Sequence, residues 1–274
     1  MTAPGHVTVD LSDYVQLFGC RDCAPKGNPQ GLFLLRKGSM EGWDSTPPVR
    51  SGVEDAPNAD GGFDNPGFYT ARRFVLSGWI EAESQGQLEQ AKARLRGAIT
   101  ARSSVPIWVS KGSLDLSATV KLDGDVRIMD QPSLPKGAWK ADFTLPLVAA
   151  DPRKYGHVNK FSMASAGAAQ DLFHRGNYLA SPKVYVSGSA LGGWKLVYPP
   201  SGSVFIYNGP LVSGQEHIVD MATGHVTVNG VVQDGDIGAA SLWRIQPGSK
   251  SPMRIEPIGS GTANAVAYVT DTYI

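Results

Sequence analysis

Two carboxylates in the C-terminal half, Glu216 and Asp220, are the residues whose types could best support catalysis. If the fold brought them together in a cleft of a β-sandwich, they could act as the acid and the base of a glycosidase. However, Asp220 stands directly before residues 221–224, Met-Ala-Thr-Gly, and an aspartate in that place is typical of a residue that caps a turn. We therefore favour the turn and expect no catalytic residues.

Cys20 and Cys23 form a C-x-x-C pair, a spacing found in zinc sites and in thiol redox motifs. A tetrahedral zinc site needs two further ligands, and none of the histidines lies in a finger-like spacing. The five histidines are His6, His157, His174, His217 and His225. A redox pair needs a helix that begins at the first cysteine, but Pro25 and Pro29 follow and cannot continue one. We interpret the pair as two thiols beside a turn, and we expect no metal and no cofactor.

The motifs of the common enzyme classes are missing from the sequence. It contains no G-x-S-x-G, no P-loop, no dinucleotide fingerprint and no H-E-x-x-H. Trp194, Tyr198 and Tyr207 could form a platform on which a sugar stacks, but aromatic residues in a sandwich belong more often to the core or to an interface. We expect a protein that is not an enzyme, with carbohydrate binding as a minor alternative.

The composition is that of a folded protein without a strong electric field. Hydrophobic residues make up 42% and charged residues 18% of the 274 residues, and 25 basic residues balance 25 acidic ones. A neutral chain has no global attraction to a phosphate backbone, so nucleic-acid recognition is not expected. No apolar stretch is long enough to span a bilayer and no secretion signal precedes residue 10, so we expect a soluble chain made in the cytosol.

The N-terminal half predicts strands and one helix. Period-two alternation predicts strands at 7–11, 14–18, 72–80, 107–110 and 139–147, with Pro146 confined to an edge or a bulge. Asp123-Gly124 predicts a hairpin between 118–122 and 126–129. Residues 38–67 are rich in proline, glycine and asparagine and predict a long surface loop.

The predicted helix, at about 84–102, begins after Ser84 as its N-cap, with Gln87 reaching back. Its apolar stripe consists of Leu88, Ala91, Leu95, Ala98 and Ile99. Its charged residues are Glu89, Lys92, Arg94 and Arg96. These four residues either face solvent or meet a partner, and we favour solvent.

The C-terminal half predicts only strands, which favours a two-sheet sandwich or jelly roll. Eight strands are expected, at 183–186, 194–198, 204–207, 217–220, 225–228, 242–245, 253–256 and 266–270. Asn229-Gly230 predicts a hairpin turn. The small residues of 163–169 predict a connection near the boundary between two domains, which we place at 1–158 and 159–274.

Taken together and in their order, several segments resemble the distal tail protein family of long-tailed, siphovirus-type bacteriophages. In the first half they are RRFVLSGWI at 72–80, the helix that follows, and AADPRKYG at 149–156. In the second half they are SPKVYVSG at 181–188, GQEHIVD at 214–220, VTVNG at 226–230 and LWRIQPG at 242–248. The resemblance implies an N-terminal β-barrel or sandwich-like domain with one helix that forms a ring, and a galectin-like C-terminal β-sandwich.

The resemblance also implies a function in the virion, at the distal end of the phage tail. A homohexameric ring would join the tail tube protein to the hub proteins of the tip or baseplate and to host-recognition proteins, with the tape measure protein as a further partner. Three alternatives stay open: another minor tail or baseplate protein, a carbohydrate-binding or receptor-binding module, and a tail-associated glycosidase. A binding module should stay monomeric and bind glycans, whereas an adaptor should form rings.

Overall fold

The computed structural model describes residues 7–13, 15–25, 31–50, 52–63, 66–131, 139–165 and 167–274. The contacts within the chain divide it into two compact units, Met1–Lys154 with Ile274, and Tyr155–Tyr273. The structure is 54% strand and contains a closed seven-stranded β-barrel. Within the described residues there is a single α-helix. The predicted fold class, mainly β with one helix, is confirmed.

Twelve strands, one α-helix and a short 3-10 turn, Arg21–Cys23, form the first unit. The strands are β1 (Val7–Ser12), β2 (Val15–Phe18), β3 (Leu32–Glu41), β4 (Val49–Arg50), β5 (Glu54–Asp55), β6 (Gly62–Phe63), β7 (Phe68–Tyr69), β8 (Arg72–Ala82), β9 (Val105–Lys111), β10 (Leu114–Leu122), β11 (Arg127–Asp130) and β12 (Trp139–Ala149). The helix is α1 (Gln85–Ala98). The predicted strand at 14–18 corresponds to β2, and Tyr14 lies outside the described residues.

The barrel has the strand order β12-β8-β3-β2-β1-β9-β10, and β10 pairs again with β12 to close it. Among the described residues of the barrel, β2 and β3 are the one pair of strands that runs parallel. The predicted alternation of β8 is confirmed, because Phe74, Leu76 and Ile80 are buried while Arg73 faces outward. Burial of every second residue on one face fixes the register, since a slip by one residue would expose that whole face.

Helix α1 begins as the sequence predicts but ends earlier. Oγ of Ser84 accepts the amide of Gln87 at 3.2 Å, and Oε1 of Gln87 accepts the amide of Glu83 at 2.7 Å. The helix ends at Ala98 and not near 102, because Ile99 is extended and turns its buried side chain into the core. The expected solvent-exposed charged face is wrong at Lys92, which is buried and forms ion pairs with Glu89 and Asp130.

The hairpin predicted at Asp123-Gly124 is wrong. Strand β10 instead forms its hairpin with β9 through Gly112, whose φ of 64° fits the first position of a two-residue turn. Strand β11 pairs with β12. The amide of Asp123 donates to the carbonyl of Pro146. A hydrogen bond to a distant strand therefore replaces the local hairpin turn.

Pro146 lies inside β12, paired with Val75, and not on an outer strand. Its carbonyl faces Asp123, at the point where the partner of β12 changes from β11 to β10. Because the nitrogen and carbonyl of one strand residue point to the same side, the missing N–H falls in the gap between those two partners. A proline is therefore tolerated within a closed barrel.

The segment predicted as a surface loop contains regular structure. Strand β3 continues to Glu41, and two short antiparallel ladders follow, β4 with β7 and β5 with β6. We call residues 46–70 the arm; residues 51, 64 and 65 of it lie outside the described residues. The ladder residues are exposed except Tyr69, which is partly buried, so the arm leaves the barrel as a thin two-stranded ribbon.

The second unit is a β-sandwich. Its strands are β13 (Lys154–Met163), β14 (Gln170–Leu172), β15 (Lys183–Ser189), β16 (Trp194–Tyr198), β17 (Ser203–Tyr207), β18 (His217–Asp220), β19 (Val226–Val228), β20 (Val231–Val232), β21 (Ile237–Ala240), β22 (Ser251–Pro257) and β23 (Thr262–Tyr273). One sheet has the order β13-β23-β15-β18-β19-β20, and the other β14-β22-β16-β17-β21. Buried side chains of both sheets form one core.

Two local predictions for the second unit have opposite outcomes. The hairpin at Asn229-Gly230 is confirmed, with positive φ at both residues as this type of turn requires. The strand predicted at 242–245 is wrong: Trp243 and Ile245 are buried in alternation, but only Ile245 forms an isolated bridge, with Ala180. Alternating burial therefore occurs there without a hydrogen-bonded ladder.

Gly78 provides a test of how closely β3 and β8 approach each other. A Cβ atom at this position would lie 1.9 Å from the carbonyl oxygen of Leu34 and 2.9 Å from Cζ of Phe143. We expect Gly78→Ala to lower the free energy of unfolding by roughly 2–4 kcal/mol, measured by urea denaturation. Gly86→Ala is the control, because no atom lies within 4 Å of the added methyl group. Equal stabilities of the two variants would contradict this packing.

Candidate functional site

The residues proposed for sugar chemistry do not form a site. Glu216 is exposed, and Asp220 ends β18 four residues later, so along an extended strand their Cα atoms are roughly 13 Å apart. Oδ1 of Asp220 accepts the amide of Ala222 at 2.8 Å, which is the turn-capping role expected from the sequence.

The aromatic platform is also absent from the surface. Trp194 and Tyr207 are buried in the sandwich core, and Trp194 Nε1 donates to Nδ1 of His217 at 3.0 Å. Burial lowers the pKa of His217, which stays neutral and carries its proton on Nε2. Tyr198 is half-buried and stacks on Trp243, with ring centroids 5.7 Å apart. These aromatic rings stabilise the core and offer no exposed row of faces to a sugar.

The two cysteines are joined, contrary to the expectation of two thiols. Cys20 and Cys23 form a disulfide across the 3-10 turn Arg21–Cys23, with their Cα atoms 5.4 Å apart. Beside it, Arg21 forms an ion pair with Glu81 at 2.9 Å. Among the residues that the structure describes, no group of three or more His, Cys, Asp or Glu side chains could hold a metal ion.

The most unusual polar cluster lies at the root of the arm and is built around Arg72. This first residue of β8 is fully buried. Its Nη1 donates to the carbonyls of Gly42 at 3.0 Å, Trp43 at 3.0 Å and Ser45 at 2.5 Å. Its Nε donates to the carbonyl of Pro152 at 2.9 Å. One guanidinium therefore ties the chain entering the arm to the chain leaving β12.

A second buried cation, Lys154, completes this cluster. Its Nζ donates to the carbonyl of Trp43 at 2.9 Å and lies 5.3 Å from the centroid of the Trp43 ring. That ring packs edge-on against Phe74, with centroids 5.2 Å apart. We call Trp43, Arg72, Phe74 and Lys154 the root cluster. Arg72 and Lys154 both donate to main-chain carbonyl groups, and Lys154 also lies over the Trp43 ring. Together these contacts hold the backbone around Trp43 in one conformation.

A groove of about 560 Å³ lies beside the root cluster, between the arm and the barrel. Pro47, Pro48 and Leu147 give it a mostly apolar lining. At its border Arg73 Nε and Asp123 Oδ2 form an ion pair at 2.9 Å. The exposed part of the arm carries apolar side chains too: Val49, Val53, Phe63 and Phe68 are 57%, 59%, 63% and 61% exposed. This concentration of exposed apolar surface is typical of an interface with another protein.

Sequence reasoning missed the root cluster, although a signal for it was present. Arg72 is separated from Phe74, Leu76 and Ile80 by even numbers of residues, so the alternation of β8 places its guanidinium on the same, buried face. A buried charge needs hydrogen-bond partners. That conflict could have indicated backbone carbonyls as the partners.

No protein-family model and no curated protein matches the chain. No helix in the described part of the chain is both long and apolar enough to cross a bilayer.

Among solved structures, the fold of this chain is similar to that of a hub protein of a phage adsorption apparatus. The particular likeness is to the crystal structure of Dit from phage SPP1, described as a paradigm of the hub adsorption apparatus in phages that infect Gram-positive bacteria. The TM-score is 0.66 at 13% identity, over 86% of this chain and 92% of that one. The resemblance to the distal tail protein family is thus confirmed at the level of the fold.

Chains of the phage p2 baseplate in its activated conformation are also similar, with strontium at a TM-score of 0.49 and 8% identity and with calcium at 0.46 and 7%. Both matches cover 95% of this chain and 97% of that one.

The pKa of Lys154 predicts how stability depends on pH. Burial lowers this pKa to about 8, Arg72 and Lys111 act in the same direction, and Asp44 opposes them. An unfolded lysine titrates near about 10.4, so between these values the unfolded chain binds more protons and stability rises with pH. We expect Lys154→Met to remove about 2–3 kcal/mol of this rise. Urea unfolding from pH 7 to 10.5 measures it, with the exposed Lys37→Met as the control. Parallel pH profiles for Lys154→Met and the unmodified chain would contradict the assignment.

Proposed function

We propose that the protein is a structural component of the tail tip of a long-tailed phage, a homohexameric ring that joins the tail tube to the tip or baseplate. The observation that carries this proposal is the similarity to the SPP1 hub protein over nearly the full length of both chains. A likeness that includes barrel, helix and sandwich in one order supports a common mode of use more strongly than a shared single domain would.

The arm supports self-assembly. A ring is built from one heterologous contact repeated around an axis, so each copy needs two different surfaces that fit each other. The closed barrel offers few free strand edges, whereas the arm has open edges along both of its short ladders and exposed apolar side chains on them. The arm is therefore the part of the first unit that another copy could complete.

The proposed partners follow from the proposed position of the ring between the tail tube and the tip or baseplate. One face of the ring would contact the tail tube protein, and the other the hub and host-recognition proteins of the tip, with the tape measure protein in the centre. This role requires binding surfaces and no chemistry. The structural role of the similar proteins supports this interpretation, as does the use of Asp220 to cap a turn.

The full chain should form closed rings in solution, and trimming the arm should weaken them. Removing residues 53–63 takes away β5, β6 and the tip but leaves β4, β7 and the carbonyl of Ser45 that binds Arg72. Mass photometry should show a hexamer for the full chain and a shift towards monomer for the trimmed chain, with an unchanged melting temperature. A full chain that stays monomeric at all concentrations would count against assembly as a property of the chain itself.

The ring is expected to form through the first domain, which we placed at 1–158. The compact units divide between Lys154 and Tyr155, and β13 begins at Lys154 and pairs with β23 of the second unit. A cut at residue 158 would remove the first half of β13, so the second fragment should begin at Tyr155, which keeps all of that strand except its first residue. We expect fragment 1–154 to oligomerise and fragment 155–274 to be monomeric, measured by light scattering coupled to size exclusion. The reverse result would refute the assignment.

A further inference from the structure

The tip of the arm is acidic as well as apolar. Residues 52–63 contain three carboxylates, Glu54, Asp55 and Asp60, and no lysine or arginine, so the tip carries a charge of −3. All three carboxylates are exposed, and none forms an ion pair with a described residue. Val53 and Phe63 lie on the same ribbon, 59% and 63% exposed. The tip thus presents uncompensated negative charge next to apolar side chains.

A basic surface lies elsewhere in the same unit, at the C-terminal end of α1. Arg96 is in the last turn of the helix and Arg102 follows it, and both side chains are exposed. Neither forms an ion pair within the described part of the chain, in contrast to Lys92, which Glu89 and Asp130 already neutralise. No acidic residue occurs between Arg94 and Ser110. We call the region of Arg96 and Arg102 the helix end.

We infer that the tip of the arm of one copy docks on the helix end of a second copy. This inference rests on the proposed ring, and it names the two surfaces that meet in it. Opposite charges fix the register of a heterologous contact and oppose wrong pairings, because two tips or two helix ends would repel each other. Val53 and Phe63 add apolar area, which contributes most of the favourable free energy of association.

The second copy fits these features better than an unrelated partner does. Both surfaces are on every chain, one of each, and their charges are opposite, which is the condition for a contact that repeats around a ring. The tip and the helix end also differ in shape, a thin ribbon against the side of a helix, so neither surface is complementary to itself. Each copy then uses its tip once and its helix end once.

Charge reversal in the full chain tests the inference. Variant A is Glu54→Lys with Asp55→Lys, variant B is Arg96→Glu with Arg102→Glu, and variant AB combines them. The control is Asp115→Lys with Asp125→Lys, which reverses two exposed carboxylates of the same unit outside both surfaces. The readout is the protein concentration at which half of the chains are assembled, measured by mass photometry and light scattering, with circular dichroism to verify folding.

We expect A and B each to raise that concentration about tenfold or more, and AB to return it to within about threefold of the unmodified chain. The control should leave it unchanged. Roughly 0.5 M salt should weaken assembly of the unmodified chain, since exposed charges are then screened. If B affects folding, Arg96→Gln with Arg102→Gln replaces it, and should weaken assembly less than B does.

Two results separate the inference from the proposed function. Rings that form equally well in A, B and the unmodified chain, or a combined variant AB no better than A or B, would overturn the docking of tip on helix end and leave the ring adaptor intact. An unmodified chain that remains monomeric under all conditions would overturn both.

Discussion

The burial of Arg72 is the interaction on which the first unit depends. A guanidinium on the apolar face of a strand is costly unless its N–H groups find acceptors, and here four carbonyl groups of the main chain accept from Nε and Nη1, while Nη2 has no partner among the described residues. Three of those carbonyls belong to the segment that leads into the arm. These hydrogen bonds therefore fix the backbone of residues 42–45, just before the arm, against β8 of the barrel. Lys154 and the ring of Trp43 add to the same constraint.

The two units differ in how much of their regular structure lies outside a buried core. The sandwich buries one continuous core from both sheets, with Trp194, Phe205 and Tyr207 stacked near its centre. The first unit closes its barrel as completely, but it extends a ribbon that has no core of its own. Four of the seven exposed large hydrophobic residues in the described part of the first unit lie on this ribbon, and such a concentration is suited to contact with another molecule. This contrast gives a physical basis for assigning assembly to the first unit.

Much of the fold could be predicted from the sequence because one-sided burial imposes a period of two. Strands β8 and β12 alternate over their whole length, and Asn229-Gly230 specifies its turn through two positive φ angles. The failures share a cause, which is that distant partners decided the local outcome. Asp123-Gly124 would suit a hairpin, but Pro146 takes its amide, and Lys92 would suit solvent, but Asp130 comes from β11 to pair with it. The root cluster was hidden for the same reason, since its partners are main-chain carbonyls that carry no sequence signature.

The two short ladders of the arm have a consequence for its dynamics. Within the described part of the arm each ladder joins two residue pairs, and its backbone hydrogen bonds are open to water on both faces. Segments of this kind open at a small fraction of the free energy that unfolds a barrel, so amide hydrogens exchange there first and proteases cleave there first. If the arm is the surface that another copy covers, as proposed, the protein is vulnerable to proteases while it is alone and becomes resistant on assembly.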